Sequence, residues 1–170
     1  MNKEKTTRVL NYLEELFPDA YCELNHDSDF QLLVAVMLSA QTTDKKVNEL
    51  TKDLFKKYPD VKTMSQASLI QLQEDIKTIG LYRNKAKNLL AMSKMLIEKY
   101  DGKVPSAQKE LESLPGVGRK TANVVRSVAF DIPAFAVDTH VERISKRLGF
   151  AKKDDNVLNV EKKLCRSIPK

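Results

Sequence analysis

Apolar residues recur every three to four positions along most of the chain, the spacing of one face of an α-helix. "TRVLNYLEELF" puts Val9, Leu10, Leu13 and Leu16 on a single face, and Pro18 stops it. "TTDKKVNELTKDLFKKY" opens with a threonine cap and an early aspartate. It turns Val47, Leu50 and Leu54 inward and ends before Pro59. "SLIQLQEDIKT" reads as a short helix closed by Gly80. "YRNKAKNLLAMSKMLIEKY" buries Ala86, Leu89, Leu90, Leu96 and Ile97 and ends at Asp101–Gly102. "SAQKELES" and "KTANVVRSVAF" flank a Pro-Gly turn. "DTHVERISKRLGF" is capped by Asp138 and closed by Gly149, and "NVLNVEKKLCRSI" is a further helix. "FQLLVAVMLSA" is apolar all round. Periodicity alone cannot separate buried helix from buried strand there. No alternating partner strand occurs elsewhere, so a buried helix is expected. The fold class that follows is all-α, built from short packed helices.

Composition narrows the function classes. The 170 residues are 42% hydrophobic and 31% charged, enough apolar content for a core. Lysine and arginine exceed the acids by 29 − 23 = +6. That excess suits a polyanion such as DNA or RNA, although ligand-free proteins can be equally basic. Cys22 and Cys165 are too few and too far apart for a disulfide framework or a zinc site. They read as buried thiols in a reducing cytosol. The polar start "MNKEKTTRVL" has no signal core and no run is long enough to span a bilayer. A cytoplasmic protein without a membrane partner is therefore expected.

The stretch "LPGVGRKTANVV" carries the candidate chemistry. A phosphate-binding loop would need a strand before it and a wider glycine spacing. A dinucleotide fingerprint would need a third glycine where Thr121 stands. A hairpin between two helices fits better. Pro115 fixes its own backbone angle, and Gly116 and Gly118 open turn angles closed to other residues. The next helix then begins with free N–H donors that favour an anion such as a DNA phosphate. Lys120 sits at that helix start, where its charge opposes the helix dipole and Arg119 adds a second cation. Such a setting favours the neutral amine that a nucleophile requires. Asp138 is a good N-cap, and a fixed carboxylate there could accept a proton if it lay near Lys120. A ligand-free turn, a solvated lysine and a purely capping aspartate remain the plain readings of these residues. A fainter echo of the motif occurs in "TIGLYRNKAKNLL", another tight turn opening a basic helix.

These motifs resemble the helix-hairpin-helix DNA glycosylase superfamily, and within it the endonuclease III branch. "LPGVGRKTANVV" and "AVDTHVERISKRL" carry the likeness, with "LLVAVMLSAQTTD" and "IKTIGLYRNKAKNL" upstream. It runs from about Phe17 to Lys170. The resemblance implies two helical lobes with a DNA cleft between them. One would comprise residues 21–132 and the other 1–20 with 133–170. It implies an enzyme that acts on duplex DNA as a monomer near the nucleoid, removing oxidised pyrimidines and nicking the abasic site. Lys120 would attack the sugar C1′, form a Schiff base and drive β-elimination, with Asp138 assisting. Branches without that lysine only release the base. Leu114, Pro115, Gly116, Val117, Gly118 and Arg119 would hold phosphate. Gln41 and Leu81 would wedge into the gap left by the flipped base.

Relatives of this branch carry a four-cysteine loop holding a [4Fe-4S] cluster. Cys22 and Cys165 do not make that set, so no cofactor or metal is expected in this chain. Lysine chemistry itself needs none. The ending "CRSIPK" is expected to mark a shortened form of a longer protein, the alternative being a lineage without the segment. Two other functions fit the same motifs. One is a non-catalytic helix-hairpin-helix DNA-binding module, which Lys120 argues against. The other is a glycosylase for mismatched or alkylated bases.

Overall fold

A computed structural model describes residues 3–169. The described residues form ten helices and no strand: α1 (Lys3–Leu16), α2 (Asp29–Ser39), α3 (Asp44–Lys57), α4 (Val61–Ser65), α5 (Leu69–Asp75), α6 (Tyr82–Tyr100), α7 (Gln108–Ser113), α8 (Arg119–Ala129), α9 (Thr139–Leu148) and α10 (Val157–Ser167). The all-α expectation is met.

The all-round apolar stretch is α2, the centre of the molecule. Leu32, Leu33, Val34, Ala35 and Leu38 are wholly buried. Each fully buried leucine contributes about 1.5–3 kcal/mol relative to exposure. α2 packs against α3, α6 and α8, so no face of it meets water and none needs to be polar. Ser28 caps its start by accepting from the Gln31 N–H. Around it, Val47 and Leu54 of α3, Ala86, Leu89 and Leu96 of α6, and Ala122 and Val125 of α8 complete the main core.

A second, smaller core joins Val137, Phe150, Ala151, Val160 and Leu164. Val9 of α1 packs on it. The C-terminal part of the α1 apolar stripe is uncovered: Leu13 is 37% and Leu16 50% exposed. Leu13 lines an open groove between α1 and α9, and Leu16, on the same helical face, is exposed. Periodicity reports an amphipathic face, not what covers it. Ile97, expected inside α6, is likewise exposed near the turn at Gly102.

Two turns also differ from expectation. α5 ends at Asp75, well before Gly80. Leu81, not Gly80, takes the left-handed conformation that heads α6. α4 gave no periodic signal because it is five residues long. A reciprocal cap between Asp60 and Thr63 holds it.

Candidate active site

The hairpin is anchored from below. Leu114 and Val117 are buried in the main core, and the Val117 N–H donates to the Leu114 carbonyl at 3.1 Å. Gly116 between them has φ +78°. A Cβ there would lie 2.8 Å from Asn88 Cβ and 2.9 Å from Met37 Cε. Glycine is thus required both by backbone angle and by space.

Gly118 is different. Its φ of −94° and ψ of 178° are ordinary extended values, and a Cβ would meet nothing within 4 Å. The expectation that both glycines serve restricted angles holds for Gly116 only. Gly118 is exposed and is the N-cap of α8 with no side-chain cap bond. The first N–H groups of α8 are therefore left for an outside acceptor.

Lys120 lies in the first turn of α8, and its Nζ is 3.1 Å from Asp138 Oδ2. Asp138 caps α9 through its other oxygen: Oδ1 accepts from the His140 and Val141 N–H groups at 3.0 and 2.9 Å. One carboxylate thus caps a helix and holds an amine. Burial alone would push the Asp138 carboxyl up. The Val141 N–H, the Lys120 ammonium and the His140 N–H outweigh it and hold the carboxyl below the usual carboxylate range. Asn123, buried one turn beyond Lys120, donates to the Phe135 carbonyl at 2.8 Å. It ties α8 to the segment leading into Asp138.

Arg119 does not act as a bare second cation. Its Nε and terminal nitrogen donate to both oxygens of Glu161, each at 2.7 Å. Glu112 lies 3.6 Å from another guanidinium nitrogen. Two ion pairs, rather than two neighbouring free cations, set the electrostatics at the start of α8. The Arg119–Glu161 pair joins the hairpin to α10.

Gln41 and Leu81 share an unusual feature. Both adopt positive φ, 56° and 59°. Left-handed backbone costs a non-glycine residue roughly 1–2 kcal/mol. The other non-glycine residues in this region, Asp101 and Asp131, are of a type that tolerates it. Gln41 and Leu81 are exposed. Leu81 and Ala40, which precedes Gln41, line a cavity of about 170 Å³ together with Gly116. The structure therefore brings the hairpin and both turns to one place, and Lys120 to Asp138.

The pattern gave no sign of Asn123 or Glu161, because each works through partners distant in sequence. His140 lends its main-chain N–H to Asp138, and its Nδ1 lies 3.4 Å from Arg143. A four-thiolate cluster does not fit the described residues: Cys22 packs, partly buried, against the main core, and Cys165, expected to be buried, is exposed on α10, where its helix face meets solvent. No helix among the described residues is long and apolar enough to cross a membrane.

Fold and site together define a helix-hairpin-helix protein that presents an amine, paired with a capping carboxylate, beside a turn whose following helix start has no side-chain cap. Residues 34–170 match the family model described as HhH-GPD superfamily base excision DNA repair protein. The chain is 56% identical to Endonuclease III of Bacillus subtilis (strain 168) over 170 residues, all of this chain and 78% of that protein. A trapped Endonuclease III–DNA covalent intermediate superposes with a TM-score of 0.94 at 56% identity, covering 99% of this chain and 79% of that one. A non-covalent Endonuclease III–DNA complex superposes with the same score at 55% identity, with the same coverage. The chain belongs to the HhH-GPD superfamily of base excision DNA repair proteins. That membership makes it a DNA repair enzyme.

Proposed function

We propose that this chain is a bifunctional DNA glycosylase and abasic-site lyase that uses Lys120 as its nucleophile. The observation that carries the proposal is the 3.1 Å pairing of an exposed helix-start amine with the Asp138 carboxylate. The ammonium gives a proton to Asp138, and the neutral amine attacks the sugar C1′. The C1′–base bond breaks as the C1′–nitrogen bond forms, the base departs with the proton Asp138 received, and a proton from the new C1′–N ammonium passes to O4′ as the ring opens. The sugar opens to an imine on Lys120, loses a proton at C2′ and expels the 3′-phosphate. Water then hydrolyses the imine and frees the lysine. Asp138, fixed by two main-chain N–H groups, is placed to take the first proton and to oppose the cation that develops on the sugar.

Around this pair, the main-chain N–H groups of the 114–118 hairpin and of the α8 start hold a backbone phosphate. Gln41 and Leu81 enter the gap left by the flipped base. The substrate is oxidised pyrimidine in duplex DNA, encountered in the cytoplasm at the nucleoid. We further propose that residues 21–132 and 1–20 with 133–170 are the two lobes, a division that the separate main and minor cores support. Residues 1, 2 and 170 lie outside the described residues. The chemistry runs on the chain's own side chains, with no metal assigned a step.

Borohydride reduction in the presence of abasic-site duplex should trap a covalent protein–DNA adduct. Folded protein that yields no adduct sinks the lyase claim and leaves a DNA-binding module. Oligonucleotides carrying oxidised pyrimidines should release base faster than ones with mismatched or alkylated bases, and the reverse order would reassign the substrate.

Asp138→Asn is expected to lower the single-turnover rate by about 10²-fold with DNA affinity retained. Asparagine is as good a cap as aspartate, so stability near neutral pH should change little. The pH dependence of stability should change. A carboxyl held below its unfolded value of 3.8 stabilises the fold above that value, and the contribution fades as pH falls through the folded value. Urea midpoints taken at pH 6 and pH 3 should therefore drop less in Asp138→Asn than in the wild type. Equal activity in the variant would leave Asp138 as a cap alone.

A further inference from the structure

Lys85 is the one charged side chain of α6 that points into the protein. It is 8% exposed. Its ammonium donates to the Leu38 carbonyl at 2.8 Å, the Ala40 carbonyl at 2.7 Å and Thr42 Oγ1 at 3.1 Å. Each donor of the ammonium thus has an acceptor. The carbonyls lie at the C-terminal end of α2, where the helix dipole favours a cation. Ala40 and Thr42 flank Gln41, so the ammonium holds both sides of the left-handed residue. The Lys85 main-chain N–H meanwhile donates to the Leu81 carbonyl at 3.0 Å. One residue therefore bonds through its backbone to one strained turn and through its side chain to the other.

The arrangement is costly unless it has a use. Burial pushes the Lys85 ammonium below the ordinary lysine value of 10.5. An apolar residue would fill the same space without desolvating a charge. The turns it clamps carry the two positive-φ residues that lack an aspartate's tolerance for that conformation. Strain of this kind persists only where surrounding structure enforces it. The echo of the hairpin motif around "LYRNKAKNLL" also acquires a meaning. In the hairpin copy Lys120 faces outward to Asp138, and in this copy Lys85 faces inward to backbone carbonyls.

We propose that Lys85 is a positioning residue that clamps the Gln41 and Leu81 turns into a single preset wedge for opened DNA. This rests on the reading of Gln41 and Leu81 as gap-filling residues. A preset wedge lowers the ordering cost of binding, so its loss should appear in affinity for opened DNA rather than in the bound chemical step.

The test is a double-mutant cycle with Lys85→Met, Gln41→Ala and both together. Lys85→Met keeps the stem and removes the donors. The readouts are thermal midpoint, Kd for duplex carrying a reduced abasic site, and single-turnover rate on abasic duplex at saturating enzyme. Lys85→Met should raise Kd about tenfold while the saturated rate stays within about twofold. In the Gln41→Ala background the same change should raise Kd by less than about twofold, because the clamp no longer has its cargo. A full tenfold effect in both backgrounds, or an unchanged Kd in folded Lys85→Met, overturns the proposal. If Gln41→Ala alone leaves Kd unchanged, the wedge reading fails and this proposal with it, whereas the borohydride adduct of the wild type would stand. Should Lys85→Met not fold, Thr42→Val removes one acceptor of the clamp. It should give about a threefold rise in Kd that again vanishes without Gln41; a rise of equal size without Gln41, or none with it, overturns the proposal.

Discussion

Lys120→Ala should leave no borohydride-stable adduct with abasic-site DNA, and its single-turnover cleavage rate should fall by on the order of 10³-fold or more. The Lys120 amine is the group that forms the imine with the opened sugar in this mechanism, so its loss removes the step and not merely an accelerant. Binding should survive. The hairpin is anchored by Leu114 and Val117, and its N–H donors do not depend on the Lys120 side chain. Kd for abasic duplex should therefore stay within about threefold of wild type, the effect of one lost exposed charge. Lys120→Arg sharpens the test. Arginine can keep the pairing that holds Asp138 at 3.1 Å, yet a guanidinium does not deprotonate in proteins. It should bind as well as wild type and form no adduct. An adduct from either variant would move the nucleophile to another amine and overturn the assignment of Lys120.

Much of this site was legible in the chain because its parts are local. Leu114 to Lys120 is a contiguous hairpin and helix start, and Asp138 announces itself as a cap immediately before α9. The all-round apolar character of α2 is likewise a local signal of complete burial. What sequence could not supply is every relation that closes across the fold. Lys120 and Asp138 are 18 positions apart, Lys85 and Ala40 are 45, and Arg119 and Glu161 are 42. None of these pairs has a spacing rule, because loop lengths and helix packing set the meeting. The uncovered stripe of α1 makes the same point for the core. Leu13 and Leu16 obey the helical period perfectly well, yet whether another element lies over them is a tertiary fact.

The two hairpin glycines should separate folding from DNA contact when each is changed to alanine. Gly116→Ala must place a Cβ at φ +78° and within 2.9 Å of Asn88 and Met37 atoms. One of those atoms is Asn88 Cβ, which cannot swing away as a flexible side-chain end could. Backbone strain of roughly 1–2 kcal/mol adds to overpacking of roughly 1–3 kcal/mol, so destabilisation of about 2–5 kcal/mol is expected. A urea titration would register most of that as a shift of midpoint. Gly118→Ala should leave stability nearly unchanged. Its backbone angles suit alanine and its Cβ direction is empty. The unfolded chain loses freedom, which favours the fold by about 0.4–1 kcal/mol, but alanine is a poorer N-cap than glycine and offsets that gain. DNA affinity should nonetheless fall, because the added methyl occupies the open space through which a phosphate reaches the first N–H groups of α8. A charge-assisted hydrogen bond is worth about 1.5–3 kcal/mol, so the loss of one predicts a rise in Kd of roughly ten- to a hundredfold, measured at a fixed salt concentration. If Gly118→Ala binds DNA as tightly as wild type, the phosphate does not approach over Gly118. The uncapped N–H groups would then be satisfied by water, and the grip on DNA would have to lie elsewhere on the hairpin face.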